Sequence, residues 1–320
     1  MDTGLTVGSE EIMVGDRGRA PSRPSRDGSG LPSALVFAVG AVALWSTNAL
    51  VGKSLLASHP VSLVQLLQFC GATLVFAVIH LASRKNAAPE NAATAAQAVA
   101  VGIIGLVGTM VLQYIAFASM PVIEANLVAY TWPLMVAAAV IVLGKPQRPV
   151  LLGLTAVLGF VGVALVISGG RGQPFLQGSI VGYLAAFGSA LCMAFYSIAV
   201  ARLATPSERL LLPSALVGVG LTLLWCVHDG TAWPAGADLL LGLYLGAGPM
   251  GLGYYFWSRA LKLEGGGKVA VVAYLTPIAS TLLLTLSGES LTLTAIAGAV
   301  LVIGSCIAVG IERSEAGSHA

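Results

Sequence analysis

The sequence predicts an all-α integral membrane protein with ten transmembrane helices in two inverted five-helix repeats. Three observations carry that expectation. Of 320 residues, 57% are hydrophobic and only 9% charged, with a mean hydropathy of +0.89; a soluble chain carries about a quarter charged residues. Apolar stretches of about 20 residues recur along the chain, each long enough to cross a hydrocarbon core of about 30 Å. The stretch from Ile123 to Leu134 is echoed from Lys268 to Ile278, so that Ala129-Tyr130 matches Ala273-Tyr274, Pro133 matches Pro277 and Gly144 matches Gly288, each 144 positions apart.

Taken in order, residues 1–31 mix arginines, acids, glycines and prolines with no apolar core, and predict a disordered tail rather than a signal peptide. Ten crossings follow at 33–57, 61–83, 95–118, 121–144, 149–169, 178–202, 207–228, 237–262, 267–287 and 291–311, and a short tail closes the chain at 313–320. The two halves are 32–171 and 172–312. Basic residues gather at the first tail and at even-numbered connections, including Arg84, Lys85, Lys145, Arg148, Arg202 and Arg209, while Arg171 alone lies in an odd-numbered one. Both termini are therefore expected in the cytoplasm, with the chain in the plasma (inner) membrane.

Five crossings per half place the second copy upside down relative to the first. The charges agree: Glu124 on the outer side aligns with Lys268 on the inner, and Lys145, inner, aligns with Glu289, outer. Each position carries the charge that its own side of the membrane requires.

Pro133 and Pro277 lie inside apolar helical runs. Proline lacks the amide proton and clashes with the carbonyl four residues back, and in lipid the freed groups need other partners. Paired interruptions in corresponding places of two halves point to a transport site. A third weak point is Gly246-Ala-Gly-Pro-Met-Gly251, and Pro133, Pro277, Gly248 and Pro249 are the expected flexing points. That run matches a dinucleotide-binding pattern, but no strand precedes it and it lies in mid-membrane. Gly102, Gly105 and Gly108, three apart, let crossing 3 pack closely on its neighbours.

Several functions are excluded by what is missing. The sequence holds no phosphate loop, no cysteine or histidine spacing for a metal, and no basic face for nucleic acid; it implies neither cofactor nor ATPase subunit. No acid lies near the middle of a helix, which argues against a proton relay through a buried carboxylate and against a dedicated cation site. The four cysteines, all in apolar runs, are expected as buried free thiols. Asn48 and Gln65 must find hydrogen-bond partners inside the membrane, either by joining helices or by holding substrate. Tyr130, Trp132 and Tyr274 surround the proline interruptions and are candidates for a pocket, whereas Trp233 and Trp257 are assigned to the interfacial aromatic belt.

The ten crossings, the Leu44-Trp45-Ser46-Thr47 opening and the Tyr-x-x-Pro runs of crossings 4 and 9 resemble the drug/metabolite transporter superfamily, EamA type. Glu124-x5-Tyr130-x-Trp132-Pro133 and Tyr274-x-Thr276-Pro277 resemble its bacterial aromatic amino acid exporter branch. That resemblance implies a basket-shaped fold with a central cavity, alternating access, and Trp45 with the crossing-4 and crossing-9 residues facing the cavity. The substrate-binding set is then Trp45, Asn48, Gln65, Tyr130, Trp132 and Tyr274. The implied function is export of amino acids, preferentially phenylalanine, tryptophan and tyrosine, with the lipid bilayer and a small-molecule substrate as partners. Export of another small metabolite or drug on the same fold, and a non-transporting membrane enzyme or lipid-handling protein, are the alternatives.

Overall fold

The computed structural model describes residues 30–83, 91–144, 148–168, 179–264, 269–286 and 292–317. Residues 1–29 of the expected first tail, and the charges at Lys145, Lys268 and Glu289, lie outside them, while Gly30 and Leu31 already belong to the first helix. Among the described residues the secondary structure is helical throughout. Within the described residues, eight helical stretches are long and apolar enough to cross a membrane: Pro32–Leu56, Val61–Ser83, Ala92–Ser119, Glu124–Leu143, Pro149–Ser168, Ile180–Arg202, Ser207–Asp229 and Ala237–Leu263. Two shorter apolar helices, Val269–Leu283 and Leu293–Ala308, stand where crossings 9 and 10 are expected.

Several of these stretches are interrupted. The first consists of α1 (Gly30–Trp45) and α2 (Asn48–Leu56), and the second is α3 (Val61–Ser83). The third divides into α4 (Ala92–Gly102), a π-helical segment (Ile103–Gly108) and α5 (Thr109–Ser119), and the fourth into α6 (Val122–Ala129) and α7 (Trp132–Gly144). Then come α8 (Pro149–Ser168), α9 (Ile180–Arg202) and α10 (Ser207–Asp229). The eighth divides into α11 (Ala237–Leu245), a π-helical segment (Gly246–Leu252) and α12 (Gly253–Glu264). The chain ends in α13 (Val269–Val272), α14 (Leu275–Leu286) and α15 (Leu293–Gly317).

Ala129 and Ala273, four residues before Pro133 and Pro277, are the positions whose carbonyls a proline ring would strike in an unbroken helix. The α6–α7 interruption occupies Tyr130 and Thr131, directly after Ala129, and the α13–α14 interruption occupies Ala273 and Tyr274. At both, the backbone tightens to bonds three residues back: Thr131 N to Val128 O at 3.1 Å, and Tyr274 N to Val271 O at 3.1 Å.

The four most extensive helix pairings are α8 on α15, α3 on α10, α1 on α12 and α5 on α9. Without a hydrophobic drive between helices in lipid, close approach depends on small residues. A Cβ on Gly162 of α8 would stand 2.7 Å from Gly298 O of α15, and one on Gly298 would stand 2.5 Å from Gly162 O. Gly102 of α4 is pressed likewise on Leu210 O of α10 at 2.9 Å, and Gly246 on the Gly71 Cα of α3 at 2.8 Å. The expected packing role of Gly102, Gly105 and Gly108 holds in full, since they meet Ser214, Tyr196 and Cys192. All four cysteines are free; Cys226 is buried and Cys70, Cys192 and Cys306 are half-buried.

Gly298→Val is predicted to force α8 and α15 apart and to destabilise the fold by about 2 kcal/mol or more. Gly304 on the same helix has nothing within 4 Å of a Cβ, so Gly304→Ala is the neutral control. Thermal unfolding of the two purified variants in detergent checks the difference.

Candidate functional site

The six residues expected to bind substrate fall into three neighbouring groups. The first is an aromatic cluster. Trp45, the last residue of α1, lies 5.3 Å between ring centroids from Trp257 and 6.0 Å from Tyr254, both on α12. Trp132 opens α7 and meets Trp257 edge to face at 5.5 Å. Such tilted and edge-on pairings match the quadrupoles of the rings. Trp257 Nε1 donates to Ser197 Oγ of α9 at 3.2 Å, and Tyr196 and Ser258 share a hydrogen bond of 2.6 Å beneath it. Trp257 is 0% exposed, which corrects its assignment to the interfacial belt. Residues on helices 60 and more positions away in sequence enclose it, and a single stretch of sequence does not reveal that enclosure.

Trp45 is held by the π-helical segment of crossing 8. In a regular helix Gly253 N would bond to Pro249 O; here it bonds to Gly248 O, one residue further back. Pro249 O is thereby released, and Trp45 Nε1 donates to it at 2.9 Å. Gly253 leaves room for the indole, because a Cβ there would stand 2.7 Å from Trp45 Nε1. Of the expected flexing points, Gly248 and Pro249 thus form the seat of a candidate site residue.

The second group is polar. Gln65 donates to Gln68 Oε1 on the same helix, Gln68 Nε2 donates to Tyr114 Oη on α5 at 2.6 Å, and Tyr114 Oη donates to Asn48 Oδ1 at 3.3 Å. Asn48 is half-buried, while Gln65, Gln68 and Tyr114 are fully buried. Gln65 is 0% exposed in this conformation and bonds to Gln68 on its own helix; it is Gln68 that joins α3 to α5, through Tyr114.

The third group holds Tyr130 and Tyr274, which pack with Val163, Val271 and Val302. Tyr274 is 0% exposed, with its ring 2.6 Å from where a Gly159 Cβ would stand. It lies between α8, α13 and α15, closed off from a ligand, and Tyr130 in front of it is half-buried. The groups are joined by the chain itself. Trp45 and Asn48 flank the α1–α2 interruption; Tyr130 and Trp132 flank that between α6 and α7, with Pro133 buried behind them. Pro277 is buried one turn beyond Tyr274.

Hydroxyl groups serve the carbonyls at these interruptions. Ser46 Oγ donates to Ala43 O at 2.7 Å, Thr47 Oγ1 to Leu44 O at 2.8 Å and Thr131 Oγ1 to Val128 O at 2.7 Å. Glu124 lies near the start of α6 as expected, yet it is only 7% exposed and accepts from Tyr183 Oη of α9. It is enclosed although it stands at a helix end, because α9 and an apolar cluster cover that end. At the far end of α2, His59 Nε2 lies 2.9 Å from Asp238 Oδ2 of α11. Among the described residues no three His, Cys, Asp or Glu side chains gather as a metal ion would require.

Trp45→Phe removes the donor to Pro249 O and is predicted to cost about 1–2 kcal/mol. Gly253→Ala, which pushes the indole off the same carbonyl, is predicted to act in the same direction; the thermal midpoints of both variants in detergent check this.

The profile of the EamA-like transporter family matches residues 32–168 and, again, 180–311. The aromatic amino acid exporter YddG of Ancylobacter novellus is 30% identical over 293 residues, 88% of this chain and 98% of the exporter. The uncharacterized transporter YyaM of Bacillus subtilis is 26% identical over 225 residues, 67% of this chain and 73% of YyaM. One solved crystal structure superposes with a TM-score of 0.77 at 28% identity, covering 87% of this chain and 98% of the other. With its apolar interrupted helices and two matches that together span most of its length, the chain belongs to the EamA-like transporter family.

Proposed function

We propose that this protein exports amino acids, with a preference for aromatic ones, by alternating access around a central cavity. The observation that carries the proposal is the aromatic cluster of Trp45, Trp132, Tyr254 and Trp257 beside half-buried Asn48, at interrupted helices of a chain similar to an aromatic amino acid exporter. A planar ring stacks on such faces, and an amide at an interruption reaches the polar end of the same ligand. Trp45, Trp132, Tyr130 and Asn48 are the contact residues in this reading. Gln65 and Tyr274 support them from behind.

The basket has ten crossings in two inverted repeats, 32–171 and 172–312, with tails 1–31 and 313–320 in the cytoplasm and the chain in the plasma (inner) membrane. Four features support this. The family profile matches each half. The π-helical segments begin at Ile103 and Gly246, and the proline interruptions centre on Tyr130 and Tyr274. Gly102 and Gly246, 144 positions apart, seat their crossings on α10 and α3 in equivalent ways. Exchanging the halves converts the α1–α12 pairing into that of α9 with α5, and maps the α3–α10 and α8–α15 pairings onto themselves. Pro133, Pro277, Gly248 and Pro249 then absorb the rocking of one half against the other.

Proteoliposome flux of labelled phenylalanine, tryptophan, threonine and cysteine, with and without a proton gradient, tests the proposal. Saturable, aromatic-preferring flux is expected, and Trp132→Ala and Tyr130→Ala are predicted to lower its kcat/KM by about tenfold or more. Flux of threonine or cysteine alone would refute the aromatic preference, and no flux of any would refute amino acid transport.

A further inference from the structure

The hydrogen-bond chain behind Asn48 has a direction. Gln65 donates to Gln68, Gln68 to Tyr114 and Tyr114 to Asn48. A phenol has one proton, and because Tyr114 Oη already accepts from Gln68, that proton goes to Asn48 Oδ1. Among the described residues Asn48 takes part only as an acceptor, so its two Nδ2–H donors remain for another partner. The residue is half-buried, and it begins α2 immediately after the α1–α2 interruption.

Two details set this chain apart from ordinary helix packing. At its closed end Gln65 Oε1 is buried with no partner. A stranded acceptor costs about 1–3 kcal/mol, whereas apolar residues of the same shape in place of the whole chain would cost little. A second glycine has been cleared for it: a Cβ on Gly52, one turn beyond Asn48, would stand 2.7 Å from Tyr114 Oη. The polar chain is kept at a cost, and its open end is an amide held in one orientation.

We propose that Gln68 and Tyr114 are positioning residues that fix Asn48 with its N–H donors toward the transport route, where they hold the carboxylate of the amino acid. Neither residue touches substrate itself. This rests on the transport reading above and assigns its polar end: the route recognises an acceptor anion at Asn48, not an ammonium group. The reverse orientation, with Asn48 donating to Tyr114 and presenting its oxygen, would select the ammonium.

Calorimetric titration of the purified full-length protein with phenylalanine and with phenylalaninol, which keeps the ring and ammonium but replaces the carboxylate by a hydroxymethyl group, tests the assignment. The wild type is expected to prefer phenylalanine. Tyr114→Phe frees the amide to turn, and is expected to weaken phenylalanine about tenfold while phenylalaninol changes less than about twofold. Asn48→Asp keeps the acceptor for Tyr114 but sets a negative charge opposite the carboxylate, so it is expected to lose phenylalanine and retain phenylalaninol. Equal weakening of both ligands, or an unchanged ratio in both variants, would overturn the assignment while leaving transport intact. A wild type that binds neither and shows no flux would overturn the transport reading itself.

Discussion

A helix that is broken inside a membrane leaves backbone groups that lipid cannot satisfy, and the rest of this structure depends on where those groups find partners. Pro249 O, released by the π-helical segment of crossing 8, is taken by the Trp45 indole from crossing 1. The carbonyls before the α1–α2 and α6–α7 interruptions are taken by hydroxyls one turn on, from Ser46, Thr47 and Thr131. Each solution is made by one side chain, three of them within a turn of the carbonyl and one from another crossing. A chain that satisfies its interruptions in this way keeps regular helices for packing and irregular backbone for its site.

The site follows from the same constraint. Trp45 is oriented because its N–H has one acceptor, and that orientation turns its ring onto Trp257 and Tyr254. Trp132 joins them because Pro133 ends one helix and starts the next. Asn48 stands at the start of α2 because the turn at Ser46 and Thr47 precedes it. Aromatic surface and directed amide are thus brought side by side by three interruptions, while tightly apposed glycines such as Gly162 and Gly298 hold the surrounding helices at fixed distance.

The helices and the interruptions marked by Pro133, Pro249 and Pro277 were legible in the sequence, since length, hydropathy and proline act locally; the break at Ser46 and Thr47, which no proline marks, was not. Val61–Ser83 and Ser207–Asp229 agree with the expected crossings to within a residue. The pairing of partners was not. Trp257 reads as a belt tryptophan because its neighbours Ser197, Trp132 and Trp45 lie 60 to 212 positions away. Gln65 reads as a ligand because the sequence shows an amide in a membrane helix without showing that it is enclosed and bonded to Gln68. Nothing in the sequence marks Tyr114, because Gly52, the residue that leaves room for its hydroxyl, is visible only as a small residue. The π-helical segments had a compositional trace, glycines at 102, 105 and 108 and at 246, 248, 251 and 253; their register shift depends on tertiary contacts.

The central claim is that the two π-helical segments and the two proline interruptions are coupled moving parts around one ligand. Hydrogen–deuterium exchange of the purified protein, with and without phenylalanine, reads this directly. The account predicts that amides in Ile103–Gly108, Tyr130–Thr131, Gly246–Leu252 and Ala273–Tyr274 change protection together on ligand addition. Changes confined to the connecting loops, or to one half of the chain, would contradict it.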